Sequence, residues 1–214
     1  HYLASGGGSS VLPFARRILK ICQKILPPAQ ASDASLMKIL DLIEISNPKD
    51  GYEALRQLTK IEEVEAKSQS NRRVFVVIDS ISGCLTPNFL TGPKDYNVGA
   101  YLIGELGMVL RRLARIRGFA VLVTNGVVSS GLSSKLSQPA LGNSWRAPDV
   151  RVYLQVAQDS VIGQNNEALR IICASLRKHH ANSARVRNFD AQASAACMVN
   201  FGVATSGIVD VPAK

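Results

Sequence analysis

The stretch Val74 to Ser80, Val-Phe-Val-Val-Ile-Asp-Ser, constrains the fold more than any other part of this chain. It is an apolar run rich in β-branched residues that stops abruptly at a carboxylate, Asp79. Such a run reads as a parallel strand buried on both faces, and open α/β sheets bind their ligands off the carboxyl ends of such strands. In nucleotide-binding α/β proteins this arrangement aims an acidic group at a phosphate-bound Mg²⁺. Many parallel strands also end in Asp merely because the strand has ended. The run therefore points to an α/β sheet and leaves the role of Asp79 open.

Signals for strands and helices alternate around it. Tyr2 to Ala4 reads as a strand end, and the Gly6-Gly7-Gly8 turn leads into a helix from Pro13 to about Leu26. There Phe14, Ile18, Ile21, Cys22 and Ile25 recur at helical spacing, and Pro27-Pro28 ends the pattern. Lys38 to Ile45 reads as a second strand, and Pro48 to about Ala66 as an amphipathic helix with Leu55, Leu58 and Ile61 inward. Ser80 to Asn97 reads as irregular. A helix from about Gly99 to Arg117 turns Leu102, Leu106, Val109, Leu110, Leu113 and Ile116 inward. Arg111, Arg112, Arg115 and Arg117 fill its last turns, where the negative end of the dipole favours them, and Gly118 supplies the stop. Phe119 to Thr124 is the next apolar strand. Beyond it, Val150 to Val156 pairs with Leu169 to Ser175 through a Gly163-Gln164-Asn165-Asn166 turn, and Cys197 to Val203 with Gly207 to Val211. The expected fold is α/β, with a mostly parallel central sheet flanked by helices and an antiparallel C-terminal extension. Residues 1–214 are expected to form a single domain, since 214 residues suffice for one good-sized core.

Bulk properties narrow the class of partner. With 46% hydrophobic and 19% charged residues the chain is globular in composition. A net charge of +9 favours a polyanion, nucleic acid ahead of an acidic protein surface. Cys22, Cys84, Cys173 and Cys197 form no Cys-x-x-Cys pair, so they read as reduced thiols of a cytosolic or nuclear protein, without a disulfide framework or zinc site. No apolar run approaches the roughly 18 residues that span a bilayer, and no signal-peptide pattern opens the chain.

The order strand-Asp79-Ser80, loop, helix, strand-Thr124-Asn125, loop, strand resembles the core of the RecA-type recombinases. More narrowly, Pro139-Ala140-Leu141-Gly142-x-Ser144-Trp145 followed by Arg151 resembles the D-type paralogues of the eukaryotic strand-exchange recombinase. The likeness covers most of residues 1 to 210, and Leu141, Gly142, Ser144 and Trp145 are its most specific part. It implies a nuclear protein of homologous-recombination repair, ATP and Mg²⁺ as cofactors, and single-stranded DNA as a ligand. It also implies a hetero-oligomer, with a C-type paralogue gripping this core and an X-type paralogue reached partly through an N-terminal domain upstream.

The phosphate chemistry departs from that pattern. A nucleoside-triphosphate site of this class needs a Gly-x-x-x-x-Gly-Lys-Ser/Thr loop, and the chain contains none. Ser5-Gly6-Gly7-Gly8-Ser9-Ser10 precedes a helix but carries no Lys. Tyr2-Leu3-Ala4-Ser5-Gly6-Gly7 instead matches the family's Tyr-Ile-Asp-x-Glu-Gly, with Gly6 in place of the Glu that positions the attacking water. Gly126 stands where active members follow Thr-Asn with a phosphate-sensing Gln. Neither glycine has a side chain to orient water, so the expectation is weak or absent ATPase activity with no catalytic residue. Asp79, with Ser80, would complete a Mg²⁺-nucleotide site only if the phosphate loop lies upstream of His1. Without that strand a RecA-type core has an unpaired sheet position, so the chain is expected to include or depend on something more.

Two regions fall off the carboxyl ends of core strands, from about Gly83 to Asn97 and from about Val127 to Asn143. The resemblance implies that they touch single-stranded DNA. The first offers Phe89, Lys94 and Tyr96, a stacking-plus-phosphate set, and the second only Lys135 among five serines. Both read equally as surface loops. Arg177, Lys178, Arg185 and Arg187 form a basic stretch on an expected loop, open to phosphate binding or to plain solvation. Arg151 is either an anion ligand or an ordinary strand arginine, and Trp145 reads as a packing anchor ahead of a stacking platform. The adjacent His179-His180 pair cannot serve one metal from a regular strand, and no metal beyond Mg²⁺ at Asp79 is expected. Three functions follow: a non-catalytic or weakly catalytic paralogue that helps load the recombinase on DNA, a DNA-dependent ATPase with its own strand-exchange activity, or an unrelated basic α/β binding domain that shares only the fold.

Overall fold

The computed structural model describes residues 1–5, 11–68, 72–89, 93–129, 137–141, 145, 147–162, 168–179, 198–204 and 207–210. In chain order the elements are β1 (Tyr2–Ala4), α1 (Val11–Ile25), α2 (Asp33–Asp41), β2 (Ile45–Ser46), α3 (Gly51–Lys67), β3 (Phe75–Asp79), α4 (Ile81–Phe89) and α5 (Pro93–Arg115). They continue with β4 (Ala120–Val123), β5 (Val127–Ser129), β6 (Ser137–Pro139), β7 (Val150–Ile162), β8 (Ala168–His179), β9 (Met198–Ala204) and β10 (Gly207–Asp210). Two compact units result, His1–Val11 with Met37–Pro148, and Leu12–Leu36 with Asp149–Lys214.

The first unit is built on a four-stranded sheet in the order β2-β1-β3-β4, with every pairing parallel. Its core joins Leu3, Val76 and Ile78 of the strands to Ala54 and Leu58 of α3, Ile81, Cys84 and Leu85 of α4, and Leu102, Leu106 and Leu113 of α5. The spacings 54/58, 81/84/85 and 102/106/113 are those of single helix faces, which is why these segments coil instead of pairing. Burial alternates along β3, with Val76 and Ile78 enclosed and Phe75 52% exposed. The expectation of a strand buried on both faces is thus corrected: period-two geometry sends successive side chains to opposite faces, and the helices of this unit cover one of them.

Capping explains where the helices begin and end. Asp50 opens α3 by accepting the Glu53 amide at 2.8 Å on Oδ1, and the Lys49 amide donates to the Glu53 carboxylate at 2.9 Å. Ser80 opens α4, its Oγ accepting the Gly83 amide at 3.1 Å. Gly118 leaves α5 with φ of 71°, the left-handed conformation in which a side chain is strained. At that end Glu62 of α3 binds Arg112 through contacts of 2.6 to 2.9 Å and Arg117 at 3.3 Å. The Arg112 hydrogen bonds hold the Glu62 carboxyl below the usual glutamate range against the opposing effect of burial, with Arg117 adding to them.

Three expectations about local structure change. Lys38 to Asp41 belongs to helix α2 instead of a strand, and β2 keeps only Ile45 and Ser46. Ser32 begins that helix by accepting the Leu36 amide at 2.9 Å on its carbonyl. The stretch from Ser80 to Asn97, read as irregular, is α4 followed by the first turn of α5 over its described residues. Arg177 and Lys178 lie within strand β8 and not in a loop, because β8 runs on to His179.

In the second unit β7 to β10 form an antiparallel sheet of their own in the order β10-β9-β8-β7. The expected pairs, β7 with β8 and β9 with β10, are present, and the 163–166 turn lies outside the described residues. The α/β architecture with a parallel sheet and an antiparallel C-terminal portion is therefore as the sequence predicts. No helix among the described residues is long and apolar enough to cross a membrane.

Candidate functional site at the ends of the parallel strands

At the end of β3, Tyr2 from the start of β1 and Thr124 from just beyond β4 converge on Asp79. The Tyr2 hydroxyl donates to Asp79 Oδ2 at 2.8 Å, and the Thr124 hydroxyl donates to Oδ1 at 2.7 Å. Partial burial and the Asp79 hydrogen bond push the Tyr2 phenol up to about 12, so it remains a donor at every physiological pH. The Asp79–Ser80 peptide is cis. The Ser5 amide donates to the Asp79 carbonyl at 2.7 Å, and its hydroxyl to the Ser80 carbonyl. α4 approaches this strand end so closely that a Cβ at Gly83 would lie 2.8 Å from Ser5 Oγ and 3.1 Å from the Ser5 carbonyl oxygen.

A second layer of hydroxyls lies beside the carboxylate. Ser80 Oγ and Ser82 Oγ are 3.2 Å apart, and Ser82 Oγ accepts the Gly126 amide at 3.1 Å. A Cβ at Gly126 would meet Ser82 Oγ at 3.2 Å, a tight contact that Ser82 would have to relieve by a small shift. Beyond Gly126, β5 and β6 pair as an antiparallel ribbon, and the Ala140 amide donates to the Gly126 carbonyl at 2.8 Å. Asn125 buries its amide oxygen with no hydrogen-bond partner among the described residues.

The Asp79 carboxylate and the hydroxyls of Tyr2, Thr124, Ser5, Ser80 and Ser82 around it make a hard-oxygen set. Such a set suits Mg²⁺, which keeps several of its waters and needs only one or two carboxylates when phosphates supply the rest. No group of three or more His, Cys, Asp or Glu gathers among the described residues, so the arrangement would not cage a bare metal ion. Asp79 thus fits a phosphate-bound, hydrated cation, with Ser80 committed to capping α4.

No protein-family model matches the chain. Among curated proteins it is 31% identical over 160 residues to the DNA repair protein RAD51 homolog 4 of Bos taurus, covering 74% of this chain and 46% of that protein. To its Mus musculus counterpart it is 30% identical over 175 residues, covering 80% of this chain and 49% of that protein. The chain belongs to the RecA-type recombinase family, as a paralogue. It spans about half the length of the curated relatives it matches.

The remaining candidate residues of this recombinase paralogue are dispersed. Phe89 is the last residue of α4, and Lys94 and Tyr96 lie in the first turns of α5. Gly6, Lys135, Gly142, Ser144, Arg185 and Arg187 lie outside the described residues. Arg151 of β7 stands opposite Lys178 of β8 in the antiparallel register, with Arg177 the neighbour of Lys178 on the same strand. Trp145 is 4% exposed and sits in the core of the first unit with Leu141 packed against that core. It takes a close seat on α5, where a Cβ at Gly107 would stand 3.1 Å from Ala147 Cβ and 3.9 Å from the Trp145 ring. Among the described cysteines Cys22, Cys84 and Cys173 are free thiols, and burial pushes the Cys84 thiol up, which makes it unreactive.

Sequence reasoning found Asp79 and Ser80 and missed Tyr2, Ser5 and Thr124 as the partners of Asp79, and Ser82 as the neighbour of Ser80. A signal for two of them exists. Tyr2 and Thr124 sit at or beside the ends of apolar strands whose other residues are hydrophobic, and a lone hydroxyl there points to the strand-end carboxylate of the same sheet.

Proposed function

We propose that this chain is the core of an auxiliary recombinase paralogue, a weakly catalytic or non-catalytic subunit that helps load the recombinase on single-stranded DNA during homologous-recombination repair in the nucleus. Its partners in this reading are other recombinase paralogues, of the C and X types. The observation that carries it is the similarity to DNA repair protein RAD51 homolog 4 of Bos taurus and Mus musculus over 74% and 80% of the chain.

ATP and Mg²⁺ belong to the proposal as structural ligands, on the condition that a phosphate loop lies upstream of His1. Bound Mg²⁺ would neutralise phosphate charge. Asp79 would face it, and Thr124 and Tyr2 would hold that carboxylate in one orientation. At the two positions where active members carry groups that act on water, Gly6 and Gly126 have no side chain to offer. Nucleotide then acts as glue between subunits and not as fuel. The DNA-facing candidates in this reading are Phe89, Lys94, Tyr96, Lys135, Arg177, Lys178, Arg185 and Arg187.

The test is steady-state hydrolysis by the full-length protein with and without single-stranded DNA, together with affinity capture from nuclear extract. Expected are turnover far below 1 per second and recovery of recombinase-family subunits. An enzyme-like rate of about 1 per second or more, in the ordinary range of turnover numbers, sinks the auxiliary role. Absence of such subunits at stringent salt sinks the assembly role.

A further inference from the structure

We propose that Tyr2 is a positioning residue for Asp79, fixing one carboxylate oxygen from the neighbouring strand so that the group meets a nucleotide-bound Mg²⁺ in a single orientation. The inference rests on the nucleotide-binding reading above. Its basis is a division of labour at the carboxylate: Thr124 takes Oδ1 at 2.7 Å and Tyr2 takes Oδ2 at 2.8 Å. The two donors come from opposite sides, since β1 and β4 are the two strands flanking β3. Together they fix both torsions of a side chain that is otherwise exposed.

Register explains why the residue at position 2 is a tyrosine. Tyr2 lies opposite Val77, two residues short of Asp79, and Ala4 lies opposite Asp79 itself. Two residues of strand advance about 6.6 Å, a distance that a phenol bridges along the same sheet face and a serine or threonine hydroxyl does not. Ala4, directly across, has no polar atom to offer the carboxylate. The reach therefore has to come from Tyr2.

The chemistry of the donor matters as much as its reach. The two side-chain donors to Asp79 are neutral hydroxyls, which bring no positive charge to the carboxylate. An arginine or lysine in the same place would neutralise it and compete with a cation. An ionised carboxylate offers about four acceptor sites, and two hydroxyls leave the others for the waters of Mg²⁺. Hydrogen-bonded partners of a ligating carboxylate typically account for roughly 10- to 100-fold in metal affinity.

The test compares full-length wild type with Tyr2→Phe, which keeps the ring and deletes the donor. A fluorescent ADP analogue is titrated at rising Mg²⁺, and thermal unfolding is followed in metal-free buffer. Expected is a rise of about tenfold in the Mg²⁺ concentration for half-maximal ADP binding, with the metal-free transition nearly unchanged. An unshifted Mg²⁺ midpoint in Tyr2→Phe overturns the positioning role, whether or not stability falls. ADP binding by wild type that ignores Mg²⁺ overturns the nucleotide reading itself and the inference with it, and that failure is visible before the variant is made.

Discussion

The parallel and antiparallel sheets carry the same kinds of side chain and treat them in opposite ways. In β3 Val76 and Ile78 are fully enclosed, whereas in β7 Val150, Val152, Leu154 and Val156 are 45% to 59% exposed. Val199 and Ile208, on β9 and β10, are exposed as well. Cross-strand pairs link Val152 to Leu176, Leu154 to Ala174 and Val156 to Ile172, and then Ala174 to Val199 and Ile172 to Phe201, so one face of the antiparallel sheet is apolar from strand to strand. What differs is cover. α3, α4 and α5 close over one face of the parallel sheet with long apolar side chains at helical spacing, and the core forms there. Apolar alternation shows that a strand exists and which side chains share a face. It does not show that anything lies on that face.

Substitutions on the two sides of this contrast sharpen it. Ile78→Ala removes a fully enclosed side chain from the middle of β3 and is expected to cost about 2–5 kcal/mol, read as a lowered urea midpoint at constant slope. On the open face of the same sheet Leu122 is 50% exposed, and Leu122→Ala is expected to cost well under half as much. Equal losses at the two positions would break the one-covered-face picture.

Gly83→Ala comes next. Its methyl would press on Ser5, including the backbone carbonyl at 3.1 Å, which cannot swing away as a side chain does. The expected loss is about 1–3 kcal/mol, against a small gain at Gly104, where a Cβ would meet nothing within 4 Å and helix propensity favours alanine. Opposite signs for the two glycine substitutions in the same denaturation assay are the expected result.

Glu62→Gln tests the tie between α3 and the end of α5. Its carboxylate is buried, but both arginine partners are about 40% exposed, which weakens the pair through solvent screening, and a loss of about 1–2 kcal/mol is expected. The pH dependence follows from the lowered carboxyl. In the unfolded chain Glu62 takes up its proton at a higher pH than in the folded one, so its contribution is complete above the ordinary glutamate range. It disappears as pH falls through the lowered folded value. Wild type should therefore lose stability more steeply in acid than Glu62→Gln, and parallel acid profiles would rule the pair out as a stabilising contact. The smallest effect is expected on the open antiparallel face, where Val152→Thr should stay within about 0.5 kcal/mol; a core-sized loss there would mean that the face is covered in solution.

Much of this architecture was legible in residue order. The apolar run from Val74 into Asp79, the inward leucines of α5 and the stop at Gly118 each carry their own local cause and appear where expected, whereas Ile116, expected inward, is 72% exposed beyond the end of α5 at Arg115. α2 and α4 were not legible for physical reasons. Lys38 to Ile45 is a short apolar stretch that satisfies either period, and the Ser32 cap that starts the helix lies upstream of it. α4 reads Ile-Ser-Gly-Cys-Leu-Thr-Pro-Asn-Phe, a sequence with poor helix propensity. It coils because Ser80 caps it and because Ile81, Cys84 and Leu85 find the core.

By itself, the sequence determined that this is an α/β chain of recombinase type whose third strand ends in a carboxylate, and that glycine occupies positions 6 and 126. These are properties of local period, local capping and residue identity. Only the tertiary structure decided what Asp79 touches. Tyr2 is 77 residues away and Thr124 is 45, and they meet the carboxylate because parallel pairing sets β1 and β4 in register on either side of β3. Register is set by the helices that bury one face of the sheet, so no reading of neighbours along the chain contains it.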